Sequence, residues 1–350
     1  MRPRWPDAGG SAADLSACRR MLAGGSRTFF AASWVLPPDV ARAATALYAF
    51  CRVADDAVDV DAGGAAAVEA LRERLDAAYA GRPCDVVADR AFAAVAARYA
   101  IPRALPEALL EGFAWDVERR QYDDMPALLD YAARVAGTVG AMMALIMGVR
   151  DRAALARACD LGVAMQLTNI ARDVGADACL GRLYLPRDWM REAGIDPDAW
   201  MRTPHFVPAL GSVIARVLEV AESRYRRAAD GIARLPRACR PGIHAARLLY
   251  AEIGREVERN RGDSVHRRAV VPGRRKLRLL GSAIVAAGLH RARYAADEVA
   301  AESRFLVDAA AGETPPWLRP DPGAGEWLLD LFERLERRDR ASGASPAWGA

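Results

Sequence analysis

Apolar side chains recur along almost the whole chain at steps of three and four, the spacing that puts them on one face of an α-helix. The period-two alternation of half-buried strands is missing. The pattern predicts helices over Asp39–Val60, Gly64–Ala80, Val87–Tyr99, Leu105–Tyr122, Pro126–Met147, Ala153–Ala178, Phe206–Arg234, Gly242–Arg261, Arg274–Ala309 and Ala324–Asp339. Alanine, leucine, arginine and glutamate fill them, and all four are strong helix formers. Breakers separate them: Pro37-Pro38, Gly81-Arg82-Pro83, Pro102, Gly148, Gly181, Pro186, Pro236, Pro241 and Pro272-Gly273. Short joints make neighbouring helices pack antiparallel. The expectation is one all-α domain over residues 15–311, a helical bundle around a central cavity. Before it stands a flexible N-terminus, 1–14. After it come a loop and C-terminal helix, 312–340, and a disordered tail, 341–350.

Composition adds limits. The chain has 350 residues and is 52% hydrophobic, enough for a large core. A net charge of +4 is too weak to argue for nucleic acid, and no nucleic-acid partner is expected. Of the 49 basic residues only Lys276 is a lysine, so arginine excess by itself is no sign of phosphate recognition. Six cysteines form no C-x-x-C pair and read as free thiols of a reducing cytoplasm. Met1–Gly10 is not a signal peptide. Leu279–Leu289, the longest apolar stretch, is too short to span a bilayer. The basic run Arg267, Arg268, Arg274, Arg275, Lys276 and Arg278 could meet anionic lipid head groups. The expected location is the cytoplasm, with peripheral contact on the inner membrane face as an open alternative.

Two stripes carry the candidate chemistry. Asp55 and Asp59 stand one helical turn apart, with Arg52 and Tyr48 continuing their face, among apolar neighbours such as Phe50, Val53, Ala54 and Val58. Gln166, Asn169, Asp173 and Asp177 form a single line of oxygen-bearing side chains on an otherwise apolar helix. Like charges one turn apart in a burial-prone segment need positive compensation. A solvated, arginine-paired face would supply it for either stripe alone. For both together the simplest compensation is a cluster of hard cations such as Mg²⁺ that bridges the helices through a diphosphate. A di-iron bundle would need Glu-x-x-His pairs, and none of the four histidines sits in one.

These segments resemble the squalene and phytoene synthases, and most closely the bacterial phytoene synthases of carotenoid-making phototrophs. The first motif is Ala46-Leu47-Tyr48-Ala49-Phe50-Cys51-Arg52 followed by Asp55, Asp56 and Asp59. The second is Gln166-Leu167-Thr168-Asn169-Ile170-Ala171-Arg172-Asp173-Val174 followed by Asp177. Ser26-Arg27-Thr28-Phe29, Trp115-Asp116, Val135–Gly140, Gly181–Pro186 and Arg267-Arg268 with Lys276 support them. The resemblance runs from about Leu15 to Leu335. It implies an isoprenoid-synthase fold and head-to-head condensation of two geranylgeranyl diphosphates, through a cyclopropyl diphosphate, to phytoene, the first committed step of carotenoid biosynthesis.

The resemblance also implies roles. Asp55, Asp59, Asp173 and Asp177, with Asn169 in the same ligand line, would hold Mg²⁺ (Mn²⁺ as an alternative) against the diphosphates. Ser26, Arg27, Arg52, Gln166, Asn169, Tyr184 and Arg274 would contact diphosphate oxygens. Tyr48 and Tyr131 would face the reaction centre. Phe29, Val135, Ala136, Gly140, Met143 and Leu167 would line an apolar tunnel, although close helix packing explains the glycines equally well. The proton acceptor stays open among Tyr48, Tyr131, Tyr184 and released diphosphate. No NADPH is expected, and downstream carotenoid enzymes are candidate partners. A farnesyl-using squalene or dehydrosqualene synthase and a non-catalytic assembly factor remain as alternatives. Two departures stand out: Ala176 where the family often has glutamate, and Gly262 where a tyrosine commonly precedes Asp263.

Overall fold

The computed structural model describes residues 11–25, 30, 32–60, 64–289, 298–313 and 315. Among them there is no strand, as the missing period-two pattern implied. In chain order the helices are α1 (Ala12–Gly25), α2 (Pro38–Val60), α3 (Ala65–Tyr79), α4 (Val87–Tyr99), α5 (Ala104–Val117), α6 (Met125–Ala132), a π-helical turn (Ala133–Gly137) and α7 (Thr138–Ile146). They continue with α8 (Arg152–Cys179), α9 (Arg187–Glu192), α10 (Pro197–Arg202), α11 (Pro208–Ile232), α12 (Arg240–Arg259), α13 (Gly273–Leu289) and α14 (Arg304–Ala310).

The central element is α8. Leu155, Cys159, Val163, Leu167, Ile170, Ala171 and Val174 are all buried, on more than one face, as befits a helix enclosed by others. It packs against α11, α7 and α12, while α2 packs against α1 and α4 across the bundle. Its start is fixed locally: the Asp151 carboxylate accepts from the Ala154 amide at 2.9 Å, satisfying one of the helix's unpaired donors.

Three differences from the sequence pattern have identifiable causes. The helix expected over Leu105–Tyr122 stops at Val117. Arg119 is left-handed (φ 51°) and the Arg120 amide turns back to the Trp115 carbonyl at 2.9 Å. The Trp115 ring receives two guanidiniums, Arg120 and Arg134. Tyr122 is thereby released from the helix and buried. The helix expected over Arg274–Ala309 is described as far as Leu289, and it does not run unbroken to Ala309, since Ala300 is extended just ahead of α14. There the Glu298 carbonyl accepts from Arg157 and Arg227, which hold the chain out of helical register. Residues 12–14, expected to be flexible, open α1. A reciprocal cap between Ser11 and Asp14 starts that helix, and Arg90 pairs with the buried Asp14 at 2.6 Å. The short α9 and α10 were not predicted, being too brief to show a period. The helix expected over Ala324–Asp339 lies outside the described residues.

Candidate active site

A cavity of about 680 Å³ opens between α2, α5, α6, α8 and α12. From α2 it receives Tyr48, Cys51, Arg52 and Asp55, and from α8 it receives Gln166, Asn169, Ile170, Arg172, Asp173 and Asp177. The two stripes therefore face one hollow. Along α8 the polar line from Asp177 to Gln166 covers about 16 Å, at 1.5 Å of rise per residue. Leu109 and Phe113 of α5, Val135, Ile170 and Ile253 give the hollow an apolar wall.

Local distortions aim these side chains. Asp173 departs from helical geometry (φ −107°, ψ 15°), which kinks the helix, and the Gly175 amide donates to the Ser264 carbonyl at 3.0 Å. Only glycine fits at 175: a Cβ there would stand 2.2 Å from the Val265 carbonyl oxygen. That contact brings the segment after α12 over the stripe, so Arg268 reaches Asp173 (Nε to Oδ1, 2.8 Å) beside Arg172 (2.9 Å). The π-helical turn is wedged between α5 and α8. A Cβ on Gly162 would lie 2.1 Å from the Ala136 carbonyl oxygen, and one on Gly112 would lie 2.5 Å from Val135 Cγ1. A π-turn carries an extra residue per hydrogen bond and re-aims its neighbours. Here its flanks present Tyr131 and Val135 to the cavity.

The electrostatics are uneven. Burial raises the Asp173 pKa, but hydrogen bonds from Arg172 and Arg268 outweigh it and hold the carboxyl below its ordinary range. Asp177 has no hydrogen-bonded arginine: burial, then the charge of Asp173, push it up to about 7, against the weaker pull of the Arg182 and Arg172 charges. Arg52 pairs with Asp55 at 3.7 Å and with Asp56. Asp116 accepts from the Tyr131 hydroxyl at 2.8 Å and the Tyr184 hydroxyl at 2.7 Å. Tyr122, Tyr131 and Tyr184 form one aromatic group, with ring centroids 5.1–6.0 Å apart. Burial raises the pKa of Tyr131 and Tyr184, and the Asp116 charge adds to it, so both stay phenols. Burial does the same for Tyr48.

Among the described residues no three His, Cys, Asp or Glu side chains converge into a ready-made metal group. The donor set nevertheless fits hard divalent ions. It has aspartates on both helices that border the hollow, and Asp177 is a half-buried carboxylate to which no arginine is hydrogen-bonded. Mg²⁺ needs only one or two protein carboxylates when phosphate oxygens supply the rest.

Several expectations are placed differently. Arg274 is exposed and does not line the cavity; Lys276, one of the supporting matches, does. The cause is the buried Glu252, which takes Arg275 at 3.0 Å, together with Arg255 and Arg259, and so sets the rotation of α13. Ala136, Gly140, Met143 and Leu167 do not line the hollow. Gly140 is a packing residue, since a Cβ there would stand 2.1 Å from the Ala158 carbonyl oxygen. Ser26, Arg27 and Phe29 lie outside the described residues, as does the Asp59 side chain. Asp116, Arg182, Arg268 and Lys276 face the cavity without having been assigned a role in the sequence, although each stands in a motif noted there. Tyr250 had no local signal at all.

With this geometry in hand, comparison with known proteins is decisive. The family model for squalene/phytoene synthase matches residues 22–275. The chain belongs to that family. It is 51% identical to a phytoene synthase of Cereibacter sphaeroides, over 94% of this chain and 96% of that protein. It is 49% identical to a phytoene synthase of Rhodobacter capsulatus, over 94% and 97%. Among solved structures it resembles a ligand-bound dehydrosqualene synthase, with TM-score 0.72 and 27% identity over 79% of this chain and 98% of that one. It also resembles the squalene synthase HpnC of Alicyclobacillus acidocaldarius, with TM-score 0.65 and 26% identity over 71% and 94%. The all-α isoprenoid-synthase fold of this family is the architecture described above.

Proposed function

We propose that this protein joins two geranylgeranyl diphosphates head to head to give phytoene. The observation that carries the reading is one cavity lined by Asp55 of α2 and by Asp173 and Asp177 of α8, with an apolar wall beside them. A prenyl diphosphate has those two halves. The long relatives at 49–51% identity are phytoene synthases, which favours the twenty-carbon substrate over the fifteen-carbon one.

Mg²⁺, held by Asp55, Asp59, Asp173 and Asp177 with Asn169 alongside, would supply Lewis acidity that draws electrons toward the departing diphosphate. Mn²⁺ would serve the same donor set. The chain's own groups do the rest. Arg52, Arg182 and Lys276 line the hollow as fixed positive charges for diphosphate oxygens, and Gln166 and Asn169 offer amide groups. Loss of diphosphate leaves an allylic cation, which water would quench. Leu109, Phe113, Val135, Ile170 and Ile253 exclude water along one wall. The second substrate's double bond attacks that cation and closes a cyclopropane ring. Its own diphosphate then departs, the ring rearranges, and loss of a proton gives the linear hydrocarbon.

The proton acceptor left open by the sequence can be narrowed. Tyr131 and Tyr184 already donate to Asp116, and burial keeps both of them, and Tyr48, protonated. They present phenol faces and dipoles to a cation, and a phenol that keeps its proton is no base. Released diphosphate is the acceptor this arrangement favours. No NADPH enters the reaction. The hydrocarbon would pass to downstream carotenoid enzymes.

The test is incubation of the purified protein with geranylgeranyl diphosphate and Mg²⁺, followed by hydrocarbon chromatography, with parallel farnesyl diphosphate reactions with and without NADPH. Phytoene from the first supports the reading. A thirty-carbon product formed in preference would overturn the substrate assignment.

A further inference from the structure

Asp173 carries two arginines at once. Arg172 donates Nε to Oδ1 at 2.9 Å and Nη2 to Oδ2. Arg268 donates Nε to Oδ1 at 2.8 Å and Nη2 to Oδ2 at 3.3 Å. An ionised carboxylate offers about four lone-pair sites, and these N–H groups fill them all. The pairing and the ligation of a cation by Asp173 therefore exclude each other. One arginine has to leave first.

The two are held very differently. Arg172 precedes Asp173 on α8, and its side chain is only 16% exposed. Arg268 reaches in from the strap 264–272 between α12 and α13, and its side chain is 66% exposed. An ion pair open to water is weak and readily exchanged. The strap itself is well fixed. The Ser264 carbonyl accepts from the Gly175 amide, and Ala269 and Val271 are buried, while Arg268 and Val270 beside them are exposed. Arg268 can thus swing without moving its backbone. It lines the same hollow as Arg182 and Lys276, where a diphosphate would lie.

We propose that Arg268 is an exchange residue: it occupies Asp173 until a divalent cation arrives with a diphosphate, then passes its N–H groups from the carboxylate to diphosphate oxygens and frees Asp173 as a ligand. A guanidinium suits either partner, because carboxylate and phosphate both accept its paired donors. A divalent cation alone gains Asp173 only by stripping Arg268 of its partner, so it binds poorly. A diphosphate gives Arg268 a new partner, so metal and diphosphate raise each other's affinity by the same factor. Once diphosphate departs, Arg268 returns to Asp173 and the metal is loosened. The inference rests on the metal role proposed above for Asp173.

The probe is Mn²⁺, whose binding to the full chain is read by electron paramagnetic resonance. Inorganic diphosphate binding in excess Mg²⁺ is followed separately by equilibrium dialysis. R268A should take up Mn²⁺ alone about five- to tenfold more tightly than wild type, because half of the Asp173 lone-pair sites are then open. The same variant should bind inorganic diphosphate in Mg²⁺ about fivefold more weakly, having lost a donor pair. General damage to the fold would not shift the two affinities in opposite directions. R267A removes an equal charge one residue away and should change Mn²⁺ affinity by less than about twofold. Mn²⁺ affinity in R268A equal to or below that of wild type would overturn the inference. So would an R267A gain as large as that of R268A, since the effect would then be one of net charge. Either result alongside phytoene production by the wild type would condemn the exchange and leave the proposed function standing. Mn²⁺ uptake by none of the proteins, with or without diphosphate, would overturn both the exchange and the metal role.

Discussion

Asp177→Asn should stabilise the metal-free protein while removing its activity. Burial and the neighbouring Asp173 charge raise the Asp177 pKa from 3.8 to about 7. The folded state therefore binds more protons than the unfolded state between those pH values. Stability is then lost as pH rises through that window, and the full penalty is present above pH 7. At 1.36 kcal/mol per pKa unit, ionised Asp177 costs the fold about 4 kcal/mol at pH 8. The same relation leaves a cost of about 1.5 kcal/mol at pH 5 and almost none below pH 4. Asparagine keeps the shape and carries no charge. Urea unfolding in EDTA should thus show the variant more stable by about 2–4 kcal/mol at pH 8, with the gain shrinking on acidification. Adding Mg²⁺ with inorganic diphosphate should stabilise the wild type and do little for the variant, because ligands that bind only the folded state raise its stability. A variant no more stable than wild type at pH 8, or a gain that persists at pH 4, would refute the reasoning. The charge deficit at Asp177, on which the metal assignment leans, would then be absent.

Other consequences can be checked separately. Glu252→Gln should cost up to about 3 kcal/mol at neutral pH, because three arginines hold the wild-type pKa near 2; this depressed value means the loss is full above pH 4.5 and vanishes toward pH 2, as denaturant titrations at both ends would show. Gly162→Ala should destabilise by about 1–3 kcal/mol in thermal unfolding, since its methyl would meet the Ala136 carbonyl and push the π-turn away. Asp116→Asn should bring tyrosinate ionisation to lower pH in ultraviolet titration, by removing the charge that opposes it at Tyr131 and Tyr184, and should slow turnover.

What the sequence determined by itself is the part governed by short-range rules. Helix periodicity and the proline and glycine breaks placed α4 to the residue, α8 within one residue at each end and the start of α2 within one residue. The i, i+4 spacing put Asp55 with Asp59, and Asp173 with Asp177, on common faces. Those relations need only helical geometry, which a dozen neighbouring residues decide. The tertiary structure decided whatever depends on distant partners. Asp173 is held by Arg268, 95 positions away, and Glu252 by Arg275, 23 positions away. The second of these pairs sets the turn of α13 that carries Lys276 to the cavity and Arg274 outward. The π-turn was equally hidden, because Gly112 and Gly162 make room for it from two other helices. A period read along the chain shows which face a helix buries. It does not show what stands opposite, and the charge on that opposing wall is what separates Asp173, with two arginines, from Asp177, with none hydrogen-bonded to it.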